Sequence, residues 1–81
     1  MEKTTNTLAE LLSIILGEPV SARDNIAMGS HNAWDSIKHI EIIMAVEERF
    51  GVSFAAEDIP LLTSQALLAD KLAELRGESA S

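Results

Sequence analysis

The chain contains no cysteine, which removes disulfide staples, thiolate nucleophiles and zinc-thiolate sites together and leaves packing as the source of stability. Long hydrophobic runs are missing too. No stretch approaches the roughly 20 apolar residues needed to span a bilayer, and residues 1–7 show no apolar segment behind basic ones. A soluble, cytoplasmic protein without membrane insertion is expected. Basic residues are scarce, six Lys and Arg against thirteen Asp and Glu, for a net charge of −7. That balance repels phosphate backbones and anionic lipid, so no nucleic-acid partner is expected, and a partner steered by charge should carry a basic patch. Neither internal repeats nor low-complexity segments occur.

What is present is enough for one small core. The 81 residues, 47% of them apolar, read as a single monomeric domain over 1–81, with its core at about 5–76 and a disordered tail at 78–81. A chain this short buries only about 60% of its unfolded surface, which argues against a deep catalytic cleft and against an enzyme.

Leu8, Leu11, Leu12 and Ile15 stand at i, i+3, i+4 and i+7 and predict a first helix, with Thr4, Thr5 or Asn6 as its cap. Gly17 and Pro19 stop it. Residues 20–35 follow no period, and Ile26, Ala27 and Met28 are apolar enough to anchor them as a long ordered loop. A loop of such length in a compact domain tends to be functional. It ends at Trp34, Asp35 and Ser36, where Asp and Ser are favoured N-cap types, so a second helix should begin there and end at Gly51. Residues 52–54 read as extended, Glu57, Asp58 and Ile59 as one short helical turn before Pro60, and Leu68, Leu72 and Leu75 as a last helix capped by Thr63 or Ser64 and stopped by Gly77. The expected fold is all-α, a four-helix bundle of three longer helices and one short one, with the second helix between the first and the last.

On a wheel of about 100° per residue, the second helix has an apolar sector too wide for burial alone. Ile42, Ile43, Val46 and Phe50 cluster as a core face, while Ile37, Ile40 and Met44 form a separate edge bordered by Glu41, Glu47 and Glu48. An exposed apolar edge with acidic neighbours is what a transient partner surface requires; the alternative is that this edge packs beneath the long loop. Ser36 leads directly into it. A phosphate ester on its hydroxyl would sit at the positive end of the helix dipole, worth about 0.3–1 kcal/mol at an exposed site. On helix physics alone Ser36 would simply be a cap.

The stretch Trp34-Asp35-Ser36-Ile37, followed by Ile40-Glu41-Ile42-Ile43-Met44-Ala45-Val46-Glu47-Glu48-Arg49-Phe50-Gly51-Val52, resembles the modification site and second helix of acyl carrier proteins. With the order of helices on both sides, the resemblance covers about Leu8 to Leu75. It implies that Ser36 receives 4′-phosphopantetheine from coenzyme A through a magnesium-dependent phosphopantetheinyl transferase, and that the arm's thiol carries acyl groups as thioesters between acyl-loading and acyl-transferring enzymes. It further implies that Asp35 is the motif partner and that Ile37, Ile40, Glu41, Met44, Glu47 and Glu48 form the recognition face. Ile37 stands where the family usually has leucine, a volume-conserving change. Lys38 and His39 follow the serine, where carriers of fatty acid synthesis are acidic. Trp34 is similar to discrete carriers of specialised polyketide, nonribosomal or cell-surface polysaccharide pathways.

Other assignments compete. His31 and His39, one in a loop and one on a helix without cysteine or a His-Glu-x-x-His spacing, make a poor zinc pair. Ser36, His39 and Asp35 contain the residue types of a nucleophilic triad but no oxyanion hole or glycine-rich elbow accompanies them. Trp34 reads as a loop anchor and not as a base-stacking platform. Met28 and Met44 fit either an adaptable groove for an acyl chain or ordinary core filler. The runner-up from a different class is an unmodified helical adaptor whose Ile37, Ile40 and Met44 edge binds a partner helix.

Overall fold

A computed structural model describes residues 2–77; the tail expected at 78–81 lies outside them. Three α-helices, α1 (Glu2–Leu16), α2 (Ser36–Phe50) and α3 (Gln65–Leu75), are joined by a long loop and by a second connection that contains one 3-10 turn, Ile59–Leu61. The all-helical class holds among the described residues. The fourth element is a 3-10 turn two residues later than the turn expected at Glu57–Ile59, because Pro60 enters near its start, where a missing amide proton is tolerated.

α1 begins earlier than its candidate caps. Thr4, Thr5 and Asn6 lie inside the helix, since Thr4 occupies the same stripe as Leu8 and Leu12 and is itself buried. The stripe continues to Leu16, also buried, with Leu11 and Ile15 half-buried beside it. Gly17 ends the helix at φ 72°, the left-handed exit that glycine adopts without a Cβ penalty. Ser13 then turns the chain back: its Oγ donates to the Ala9 carbonyl at 2.8 Å and accepts from the Val20 amide at 2.9 Å.

The loop from 17 to 35 is held by the start of α3. The Met28 amide donates to the Thr63 carbonyl at 2.9 Å and the Gln65 amide to the Ile26 carbonyl at 2.8 Å, on either side of an isolated antiparallel bridge between Ala27 and Ser64. The buried Gln65 side chain accepts from the Ile26 amide at 3.2 Å and donates to the Ser21 carbonyl at 2.8 Å. Asn25, at φ 48°, accepts from the Ala66 amide at 3.0 Å. Backbone polar groups at Ser21, Ile26 and Met28 are thereby paired across to the start of α3, which helps an irregular segment pack without a regular period of its own.

α1, and not α2, is the central helix: its backbone lies close to those of both α2 and α3, whereas the backbones of α2 and α3 come less close to each other. The expected order of the bundle is corrected on this point. The two connections contribute to the core as well: Trp34, Phe54 and Leu62 join Leu8, Leu12, Ile42, Val46, Leu68 and Leu72 in one buried cluster.

Candidate functional site

At the head of α2, two neighbouring residues that both qualify as caps play different parts. Asp35, in an extended conformation, is the N-cap, its Oδ1 accepting from the Lys38 amide at 2.8 Å. Ser36 is the first helical residue. It is exposed, and among the described residues its hydroxyl has no hydrogen-bond partner. The simple capping role therefore belongs to Asp35, and the serine oxygen is left facing solvent.

The edge that runs away from Ser36 is uncovered. Ile37 is 74% exposed, Ile40 51% and Met44 64%, so it does not pack beneath the loop, while Ile42, Ile43 and Val46 on the opposite face are buried. Of the acidic neighbours, Glu48 is exposed and Glu41 pairs with Lys38 at 3.3 Å. Glu47 is half-buried, and its Oε2 accepts from the Phe54 amide at 2.7 Å where the chain leaves α2. A residue anchored this way contributes less adjustable charge to a docking face than Glu41 and Glu48.

Between α2 and the 3-10 turn lies an open, mainly apolar groove of about 340 Å³. It is lined by Ser36, Met28, His39, Ile40, Ile59, Pro60 and Thr63. Met28 lines this groove, whereas Met44 stays on the exposed edge.

His39 is the residue whose role is least legible in the sequence. It is buried, at 5% exposure, and both ring nitrogens are engaged. The Trp34 indole Nε1–H donates to Nδ1 at 3.1 Å, and Nε2 faces the Ile59 carbonyl at 2.8 Å. Because the indole can only donate and the carbonyl only accept, the imidazole is used in its Nε2–H form. The two rings also stack, centroids 6.0 Å apart and planes inclined by 26°. One side chain thus ties the end of the long loop and the 3-10 turn to the first turn of α2. Removing it leaves a buried donor or acceptor unmatched, at about 1–3 kcal/mol each.

The competing constellations fail on this geometry. With both nitrogens of His39 committed, neither is free to take a proton from Ser36, so the triad is not assembled. His31 is elsewhere, its Nε2 3.3 Å from Glu18 and its Nδ1 accepting from the Ala33 amide at 3.3 Å. Among the described residues no cluster of three or more His, Asp or Glu side chains is arranged to hold a metal ion, and no helix is long and apolar enough to cross a membrane. Trp34 is 1% exposed and anchors the loop in the core.

No family model, curated protein or solved structure matches the chain.

Proposed function

We propose that this chain is a carrier protein of the acyl carrier type, bearing a 4′-phosphopantetheine arm on Ser36 and presenting acyl or related groups to biosynthetic enzymes without catalysing a reaction itself. The observation that supports it most is the division of labour at the head of α2: Asp35 caps, so the Ser36 hydroxyl is exposed, unbonded and beside an uncovered apolar edge. These residues fit the arm. The oxygen is reachable, and the helix N-terminus favours the negative charge of a phosphodiester. The bound arm supplies a terminal thiol on which acyl groups are held as thioesters. Ser36 Oγ is the nucleophile that accepts the arm, and the base that takes its proton belongs to the visiting transferase, since His39 is fully committed within the fold.

Ile37, Ile40 and Met44 supply the contact area for such visitors, with Glu41 and Glu48 steering them; the net charge of −7 favours partners with basic surfaces. Trp34 before the Asp-Ser pair, with Lys38 and His39 after it, favours a discrete carrier of a specialised pathway over one of housekeeping fatty acid synthesis. Cytoplasmic residence follows from the same reading, because transferase and coenzyme A must meet the chain.

Incubation with coenzyme A, magnesium and a broad phosphopantetheinyl transferase should add the mass of one arm to the wild type and none to Ser36→Ala. A chain that stays unmodified yet binds a partner helix through Ile37, Ile40 and Met44 is the adaptor instead.

A further inference from the structure

A group tethered to Ser36 has a concavity within immediate reach, the groove that Ser36 itself helps to line, and what it can admit depends on the side chains around it. The groove is lined by Met28, Ile40, Ile59 and Pro60 together with His39, the buried member of the lining at 5% exposure. Trp34 bonds to the same ring but does not line the groove. Trp34 in turn belongs to the buried core, in one cluster with Ile42 at 0% and Leu62 at 6% exposure. A chain seeking the interior past His39 would have to displace a buried side chain and break its hydrogen bonds to Trp34 and to the Ile59 carbonyl of the 3-10 turn.

We propose that His39 bars the interior to cargo, so that a group carried on Ser36 lies at the surface in the groove and a long acyl chain finds no enclosed site in this protein. This inference rests on the carrier reading. His39 acts here as a specificity-determining side chain: it touches the space open to the cargo and limits its depth. An aliphatic residue at the same place could swing aside into apolar surroundings without loss of a polar pair. The imidazole, held on both nitrogens, cannot.

The full chain can be loaded at Ser36 with an acetyl-bearing or a decanoyl-bearing arm from the corresponding acyl-coenzyme A. Cleavage of each thioester by hydroxylamine is then timed, with each rate divided by that of the same acyl-coenzyme A free in solution. We expect the two normalised rates to agree within about threefold, an energy difference under roughly 1 kcal/mol. A decanoyl thioester protected beyond that factor overturns the inference. In His39→Ala the decanoyl group should gain protection that the wild type does not give; a folded variant, by its helical circular dichroism, that gives none removes His39 from the role. If that variant does not fold, the wild-type rates decide alone. Intact mass separates the two levels of failure: an absent arm refutes the carrier reading, whereas an arm bearing a sheltered decanoyl group refutes only the exclusion of long chains from the interior.

Discussion

At the scale of single residues, the account turns on which of two adjacent cap-type side chains does the capping. Asp35 accepts from the Lys38 amide, and Ser36 makes no comparable bond, so their truncations should differ. Asp35→Ala is expected to cost about 1 kcal/mol, as lost N-caps do, while Ser36→Ala should stay within about 0.5 kcal/mol, as exposed unbonded side chains do. Urea unfolding of the two variants checks this, and equal losses would mean that the serine shares the cap. The sequence shows that position 35 or 36 starts a helix, because both types satisfy amide protons there. It does not show which, since that depends on the extended backbone of Asp35. His39 is still less legible. A histidine near a helix start reads as surface or loop packing, and only the fold brings Ile59, twenty positions away in the chain, to its second nitrogen.

At the scale of elements, α2 carries two faces that its spacing already separates. Ile42, Ile43 and Val46 are buried, and Ile37, Ile40 and Met44 are open. That division is readable because a helical period places residues before any tertiary contact is known. The long loop is not readable in the same way. Its order comes from pairing with the start of α3 through Gln65 and Asn25, contacts about forty positions apart in the chain that no local pattern announces. The short element near Pro60 lies later than its local pattern suggests for a related reason, since proline allows a turn to begin just before it as readily as to end there. Function at this scale is tested by charge. Reversal of the exposed Glu48 to Lys should slow loading of Ser36 several-fold while leaving the melting temperature nearly unchanged, because exposed charges govern encounter more than stability. Equal loading rates for wild type and variant would take Glu48 off the recognition face.

At the scale of the whole molecule, three helices and two connections make one core around α1 among the described residues. Each half of the sequence predicts its helices, yet the order of packing depends on where the connections place Trp34, Phe54 and Leu62, which is a tertiary property. One tie between distant parts titrates. Lys71 on α3 lies 3.3 Å from Asp58, just before the 3-10 turn, and 3.4 Å from Glu74. The hydrogen bond to Asp58 foremost, then that to Glu74, holds its pKa above the ordinary 10.5 against the opposing effect of burial. A raised lysine pKa gives stabilisation that is complete below the unfolded value and is lost as pH rises through the folded one. Melting temperatures should therefore fall more steeply above about pH 10.5 in the wild type than in Asp58→Asn; parallel curves would show that the pair contributes nothing to the fold. The central claim, that the exposed hydroxyl at the head of α2 is where a flexible arm is attached, is tested most directly by peptide-level mass spectrometry of the chain purified from cells that also express a broad phosphopantetheinyl transferase. A single phosphopantetheine on the peptide containing Trp34 to Lys38, released from Ser36 on fragmentation, is the predicted result. An unmodified Ser36, or an arm on any other residue, would contradict it.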